Sequence, residues 1–325
     1  ILILMIKQPI IIAAGEPNSI FLEIFFKSIK FRNYKSPIII IVSKKLLIAQ
    51  MKKLGFNFNI NLITNDFKDF KTLNNKKINI INEEYAFKKS FEPISKKSNI
   101  YIENCFNTAL TYLKKNNLTK FINGPISKKH FLKGEFLGIT EFLADKDNKN
   151  NKVAMLIYNK KLSVSPITTH LPLKEVNKNL SIKKIINHVN LIHMFYKKNF
   201  KKIPKIAITG LNPHCESNYD SSEEKSIIVP AIKNLIKTNY QVYGPFAADT
   251  IFMKEQSKKY DVIVGMYHDQ VLTPLKSLFG FDAINITLGL PFTRISPDHG
   301  PNYLMLGKNL SNPKSLIEAL KFLDK

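Results

Sequence analysis

Several features that mark whole classes of protein are scarce or missing in this 325-residue chain. It has only two cysteines, Cys105 and Cys215, far apart in the sequence, so a disulfide scaffold is excluded and reduced thiols are expected. No apolar run approaches the ~20 residues that a bilayer-spanning helix needs, which excludes a membrane span. These absences predict a cytoplasmic protein that has no membrane partner.

Arginine is also scarce, although the chain is strongly basic. The formal net charge is +24, from 49 Lys+Arg against 25 Asp+Glu, yet only Arg32 and Arg294 are arginines. Arginine is the preferred residue for forked contacts to phosphates and base edges, so this composition argues against a nucleic-acid partner. The lysines are spread along the chain, as is typical of a solvated surface, and their field would attract small anions.

The familiar nucleotide and nucleophile motifs are missing. No two glycines are separated by one residue, so the chain has no GxGxxG dinucleotide fingerprint. Gly300 and the pair Gly307-Lys308 have the wrong spacing for a P-loop, and no Ser or Thr follows the lysine. The chain also has no GxSxG nucleophile elbow.

What the chain does have is an alternation of short β-rich apolar runs and longer runs with helical spacing. This alternation predicts an α/β fold with a largely parallel sheet, and the continuous Ile/Val runs indicate strands buried on both faces. Adjacent strands around Asn159-Lys160 suggest a hairpin. The predicted strands are 9–14, 37–42, 78–81, 120–123, 153–158, 162–168, 205–209, 262–266 and 283–287. The predicted helices are 18–31, 45–54, 99–115, 182–197, 223–237 and 313–323.

Three predicted strands are each followed by a polar segment that contains a histidine, namely His170, His214 and His268. Ligands of open α/β sheets bind beyond the carboxyl ends of the strands, and three protein ligands plus an open position typify a catalytic metal site. Three separate hydrogen-bonding or capping histidines explain the pattern equally well, because no short ligand spacing is present. His188 and His193 lie on one predicted helix and are expected at the surface.

Arg294 lies in the segment NITLGLPFTRISPDHG at 285–300, which combines a strand end with a Gly-Leu-Pro turn. In a chain that otherwise uses lysine, it suggests a site that needs a planar fork for phosphate or carboxylate. A structural ion pair with a buried acid is the competing interpretation. Lys276 follows His268 by eight residues, on a helix expected after that strand, and can reach the same cleft.

Taken together, these segments resemble the 4-hydroxythreonine-4-phosphate dehydrogenase family of pyridoxal phosphate biosynthesis. They cover the chain from end to end and occur in the family's order, which makes the resemblance specific. The segments are the first loop at 15–23, NGPISKK at 123–129, GITEFLA at 138–144, TTHLPL at 168–173, GLNPH at 210–214, GPFAADTIF at 244–252, MYHDQ at 266–270 and NITLGLPFTRISPDHG at 285–300.

The resemblance implies a two-domain α/β fold like that of the isocitrate and isopropylmalate dehydrogenases. It also implies a homodimer whose active sites lie at the subunit interface. We expect a discontinuous first domain over 1–124 and 287–325. We expect a second domain over 125–286, which carries the metal histidines and the dimer interface.

The resemblance also implies roles for individual residues, with ligands contributed by both subunits. The metal ligands are His170, His214 and His268. The substrate contacts are Thr140, Lys276, Asn285 and Arg294, with Asp249, Asp269 and Lys128 as supporting residues. The candidate cofactor contacts are Gly289, Leu290 and Pro291. The expected cofactors are NAD or NADP and one divalent metal per site, which would be Zn, Mg, Co or Mn.

The implied chemistry is NAD(P)-dependent oxidation of the C3 hydroxyl of 4-phosphooxy-L-threonine, followed by decarboxylation to 3-amino-2-oxopropyl phosphate. Two departures from the family pattern bear on the substrate. Ile139 stands where the family usually has a substrate-contacting histidine, and Gly15–Ile20 reads GEPNSI instead of the more glycine-rich GDPAGIG. They keep open an alternative, a dehydrogenase of another four-carbon acid 4-phosphate such as erythronate or threonate 4-phosphate.

Overall fold

The chain is described here by a computed structural model, and it divides into two compact units. One unit comprises Ile1–Glu135 with Pro291–Lys325, and the other comprises Phe136–Leu290. Residues after 124 stay with the first unit because the short helix Lys128–Leu132 is tied to it, with Asn99 Nδ2 donating to the His130 carbonyl at 2.7 Å. The described residues are 7–132, 136, 138–146, 153–215, 220–280, 283–297 and 299–325.

Twelve strands and nine α-helices are found within these described ranges. In chain order the strands are β1 (Ile10–Ala13), β2 (Ile38–Val42), β3 (Ile60–Leu62), β4 (Ile78–Asn82), β5 (Lys120–Asn123), β6 (Ala154–Tyr158), β7 (Ser163–Thr168), β8 (Ile206–Thr209), β9 (Val242–Phe246), β10 (Val262–Tyr267), β11 (Ile284–Leu288) and β12 (Thr293–Pro297). The helices are α1 (Phe21–Phe31), α2 (Lys44–Lys53), α3 (Asn99–Lys115), α4 (Ile139–Lys146), α5 (Ile182–Phe200), α6 (Val229–Lys237), α7 (Lys254–Ser257), α8 (His268–Phe279) and α9 (Lys314–Leu323).

The first unit is built on six parallel strands in the order β3-β4-β2-β1-β5-β12. Every residue of β1 and β2 is buried, as expected for strands that are covered on both faces. Close backbone packing at the end of β1 requires glycine. A Cβ at Gly124 would lie 2.0 Å from the Ala14 carbonyl oxygen.

The second unit has the strand order β11-β6-β7-β10-β8-β9. Strands β7, β10, β8 and β9 are parallel, and β6 runs antiparallel to both β7 and β11. The hairpin prediction is confirmed by the β6–β7 pair, in which Ile157 faces Val164. Because β10 lies between β7 and β8, the carboxyl ends of these three strands are neighbours.

The predicted α/β class with largely parallel strands is therefore confirmed. Strands β3, β9 and β12 were not predicted. Strand β3 is only three residues long, and the sequences of β9 and β12, VYGPF and TRISP, contain proline and lack a continuous apolar run. No helix in the described parts of the chain has the length and apolar character to cross a bilayer.

The prediction for His188 is wrong, because this side chain is buried and only 6% exposed. Helix α5 turns it towards the sheet, where its Nε2 lies 2.6 Å from Ser165 Oγ on β7. His193, on the same helix, is half-buried and stacks on the ring of Tyr240 with centroids 4.2 Å apart. Burial, reinforced by the positive charge of Lys184, lowers the pKa of His188 from 6.5 to about 3.

This buried imidazole predicts acid sensitivity of the fold. The unfolded chain takes up a proton at His188 below about pH 6.5, whereas the folded chain resists until about pH 3, so stability contributed by neutral His188 is lost as pH falls through this window. At pH 4.5, roughly two pH units below the pKa of histidine in the unfolded chain, the free energy of unfolding falls by about 3 kcal/mol, because each pH unit corresponds to 1.36 kcal/mol. Urea unfolding at pH 7.0, 5.5 and 4.5 should give a shallower pH dependence for His188→Gln than for the wild type. Parallel pH dependences would contradict the prediction.

Candidate active site

The three histidine-bearing segments lie at neighbouring strand ends in the second unit. In the paired register Tyr267 at the end of β10 faces Thr168 at the end of β7, and Val264 faces Ile208 on β8. A residue that follows any of these ends therefore lies at one edge of the sheet, where open α/β folds bind their ligands.

His170 and His268 come together at this edge. Their ring centroids are 5.7 Å apart, with 36° between the ring planes. His170 adopts a left-handed backbone conformation with φ 49°, which is uncommon for a residue with a side chain and is found disproportionately at functional sites. His268 opens α8, and its Nδ1 lies 2.6 Å from Asp269 Oδ1.

His214 lies on the segment after β8, in the short helix Pro213–Cys215. It too has a left-handed backbone, with φ 56°. Its side chain is 72% exposed, and its Nδ1 lies 3.4 Å from Asp249 Oδ2. The two acids predicted as supporting residues, Asp249 and Asp269, thus each contact one of the predicted histidines.

The chemistry of these side chains fits a divalent metal. Imidazole nitrogens suit zinc and cobalt, and metal-binding histidines usually have their second ring nitrogen oriented by a carboxylate. Asp249 and Asp269 are in position to do this for His214 and His268. Within the described residues, however, no three His, Cys, Asp or Glu side chains come close enough to hold a metal ion. One chain brings together the pair His170 and His268.

Glu141 is a site residue that the sequence analysis missed. Its Oε1 accepts a hydrogen bond from Thr169 Oγ1 at 3.1 Å, which ties α4 to the segment that carries His170. Its Oε2 is buried and accepts no hydrogen bond from the described part of the chain. A Cβ at Gly138 would lie 2.9 Å from Glu141 Oε2 and 3.1 Å from His170 Nδ1, so a larger residue there would displace the ends of these two side chains. Glu141 lies within GITEFLA, and this was the only signal for it.

Thr140 and Asn285, two predicted substrate contacts, lie on facing elements. Thr140 Oγ1 is 3.4 Å from Thr287 Oγ1, at the start of α4 and on β11 respectively. Asn285 is two residues from Thr287, so both side chains point to the same face of the strand. Asn285 Oδ1 is buried and has no hydrogen-bond partner among the described residues, as expected of a group that binds a ligand.

The remaining predicted residues are placed as follows. Lys276 is exposed on α8, two turns after His268. Gly289, Leu290 and Pro291 follow β11, and Gly289 has a φ of 93°, which favours glycine. The side chain of Lys128 lies outside the described residues.

Arg294 belongs to the first unit and is fully buried. It lies on β12, and its Nε donates to Asn123 Oδ1 at the end of β5 at 2.7 Å. The guanidinium is a planar fork of N–H donors, a geometry that suits a phosphate or a carboxylate.

The first loop, one of the two departures, is a packed part of the first unit. Glu16, Asn18 and Ser19 are buried. Glu16 accepts hydrogen bonds from the Asn18 backbone N at 3.1 Å and from Ser98 Oγ at 3.0 Å. Burial raises the pKa of Glu16, although these two hydrogen bonds oppose it. Ile139, the other departure, is half-buried at the first position of α4.

Glu224 was also missed, because it lies in a charged run that reads as a solvated helix face. It is buried, and its carboxylate accepts from the backbone N atoms of Leu211 and Asn212, each at 2.8 Å. Burial by itself raises the pKa of Glu224, but the hydrogen bonds from Asn212 and Leu211 outweigh it and hold the pKa below its usual value. Glu224 thus anchors the segment that leads to His214.

Comparison with known proteins gives consistent matches along the whole chain. The family model described as "Pyridoxal phosphate biosynthetic protein PdxA" matches residues 33–323. The chain is 38% identical over 321 residues to "4-hydroxythreonine-4-phosphate dehydrogenase" of Sulfurihydrogenibium sp., covering 95% of each chain. It is 31% identical over 328 residues to "Putative D-threonate 4-phosphate dehydrogenase" of Oceanobacillus iheyensis, covering 97% of each. A solved structure of a putative 4-hydroxythreonine-4-phosphate dehydrogenase from Salmonella typhimurium matches with a TM-score of 0.84 and 27% identity, covering 98% of each chain.

Proposed function

Since the chain belongs to the PdxA family of pyridoxal phosphate biosynthetic proteins, we propose that it oxidises 4-phosphooxy-L-threonine at C3 with NAD or NADP as hydride acceptor. The oxidised acid then loses carbon dioxide to give 3-amino-2-oxopropyl phosphate. The observation that carries this proposal is the adjacency of the β7, β10 and β8 ends, whose following residues include His170, His268 and His214.

In this proposal His170, His214 and His268 hold one divalent cation, with ligands shared between two copies of the chain. The sharing is supported by the fact that two of the three histidines come together within one chain. When bound, the cation supplies Lewis-acid stabilisation of negative charge that develops on the substrate oxygen. Asp269 and Asp249 orient the imidazoles of His268 and His214 and keep the second ring nitrogen of each protonated.

The other residues bind and orient the substrate. Arg294 and Lys276 neutralise the phosphate. The hydrogen bond from Arg294 to Asn123 fixes the orientation of the guanidinium before the substrate binds. Thr140 and Asn285 offer a hydroxyl and an amide on neighbouring elements. The buried, unpartnered Oδ1 of Asn285 is suited to accept from the substrate's hydroxyl or ammonium group.

A second candidate is oxidation of a four-carbon acid 4-phosphate without the amino group, with D-threonate 4-phosphate as the first to test. Two observations favour it. Ile139 stands where the family usually has a substrate-contacting histidine, and isoleucine cannot form a hydrogen bond. A relative that matches the chain over its full length is named as a putative D-threonate 4-phosphate dehydrogenase.

Reduction of the nicotinamide tests both candidates. We expect absorbance of the reduced cofactor to rise when the protein is mixed with NAD or NADP, 4-phosphooxy-L-threonine and a divalent metal. A chelator should abolish the rise, and added metal should restore it. D-threonate and D-erythronate 4-phosphates are assayed in parallel at equal concentration. A higher kcat/KM for either would establish the second candidate, and no reduction with any of the three would overturn both.

A further inference from the structure

A continuous set of buried hydrogen bonds connects the ends of β7, β10 and β8. Thr168 Oγ1 at the end of β7 donates to the Met266 carbonyl on β10 at 2.7 Å. Gln270 Oε1 accepts from the backbone N of Met266 at 2.7 Å and from Thr209 Oγ1 on β8 at 2.9 Å. Gln270 Nε2 donates to the Gly210 carbonyl at 2.8 Å. A single amide therefore joins two strand ends through three bonds.

The amide of Gln270 has little freedom to move. Gln270 is buried in the first turn of α8, two residues after His268. The backbone of β10 packs directly against it, since a Cβ at Gly265 would lie 2.9 Å from Gln270 Oε1 and 2.4 Å from Val271 Cγ1. Its position is thus determined by the sheet and the helix together.

The segment that follows β8 runs from Gly210 to His214. Gln270 binds it at Gly210, and Glu224 binds it at the two residues that come next. The Glu224 carboxylate accepts hydrogen bonds from the backbone N–H groups of Leu211 and Asn212. The three residues from Gly210 to Asn212, which lead directly into the helix Pro213–Cys215, are therefore each held by a hydrogen bond of their backbone. Displacement of Gly210 relative to β10 would move His214 relative to His268.

We infer that Gln270 is a positioning residue that sets the placement of His268 and of the His214-bearing segment through its bonds to Met266, Thr209 and Gly210. This inference rests on the proposed function, which assigns the two histidines to a metal. Metal–ligand distances must be met within about 0.2 Å, so small shifts of either segment weaken binding. Outer-shell substitutions of this kind typically lower metal affinity by about 10–100-fold.

The test is titration of the full-length, metal-free protein with Co²⁺, followed by its d–d absorption. Gln270→Leu keeps the volume and removes all three bonds, and we expect Co²⁺ affinity to fall about 10–100-fold with a changed absorption spectrum. Thr209→Val removes one bond and should act in the same direction to a smaller extent. Gln50→Leu is the matched control, because Gln50 is a buried glutamine of the first unit that donates to the Pro17 and Ser90 carbonyls at 2.9 and 2.8 Å.

The outcomes separate the inference from the proposed function. If the wild type binds no Co²⁺, the metal role of the histidines fails and the inference fails with it. If the wild type binds and Gln270→Leu binds with the same affinity and spectrum, the inference alone is overturned. An equal loss in Gln50→Leu would also overturn it, since the effect would then be a general loss of packing. If circular dichroism shows that Gln270→Leu is unfolded, the test uses Thr209→Val instead. The inference is then overturned if Thr209→Val has the Co²⁺ affinity and absorption spectrum of the wild type.

Discussion

Replacing His268 by alanine is expected to lower kcat/KM for the phosphorylated substrate by about 10³-fold. A Lewis-acid cation is worth several kcal/mol of transition-state stabilisation, and each 1.36 kcal/mol corresponds to a factor of ten in rate. His268 is the member of the trio at the central strand end, with its ring 5.7 Å from that of His170 and 2.6 Å from the Asp269 carboxylate. Without His268, a single chain no longer brings two imidazoles together at the carboxyl ends of β7, β10 and β8.

The measurement is reduced-nicotinamide formation together with the metal content of the purified protein. His193→Ala is the matched control, because His193 lies on a helix of the same unit and stacks on Tyr240 away from the predicted ligands. It should retain both activity and metal. If His268→Ala also retained its metal and a rate within about twofold of the wild type, the metal role of His268 would be wrong.

The sequence carried most of the information on local structure. The predicted bounds of α3 and β5 match the structure residue for residue, because an amphipathic helix has a strong periodic signal and the turn residues Gly124-Pro125 mark the end of the short strand. Strand β12 has no such signal, since TRISP is short and bears a buried arginine. The burial of His188 was equally hidden, because its partner Ser165 lies on a strand 23 residues earlier.

The site could be predicted only in part, for a related reason. Histidines at strand ends suggest a site, but only the order β7-β10-β8 makes those ends neighbours, and the order is a property of non-local pairing. The family resemblance supplied the individual roles that the spacing left open. Glu224 gave no signal of its own, and Gln270 gave none beyond its place in MYHDQ, because most of their partners are backbone groups whose positions depend on the folded sheet.

Arg294→Lys is expected to raise KM for the phosphorylated substrate by about 100-fold. Lysine keeps the charge but lacks the planar fork, so it cannot bond to Asn123 Oδ1 and to a phosphate in the same geometry. Two charge-assisted hydrogen bonds at about 1.5 kcal/mol each give about 3 kcal/mol, which is close to a factor of 100. Inhibition by inorganic phosphate should weaken in parallel, because it depends on the same contact.

The chain offers a matched control in Arg32, its only other arginine, which is exposed and lies over the ring of Tyr34. Arg32→Lys should leave KM and phosphate inhibition unchanged. The competing interpretation of Arg294 is a purely structural group of the first unit. It predicts that Arg294→Lys lowers the melting temperature while KM and the inhibition constant of phosphate stay at wild-type values. The hydrogen bond from Nε to Asn123 Oδ1 fixes the plane of the guanidinium, and lysine cannot reproduce that geometry, so we expect the change in KM to exceed any change attributable to stability.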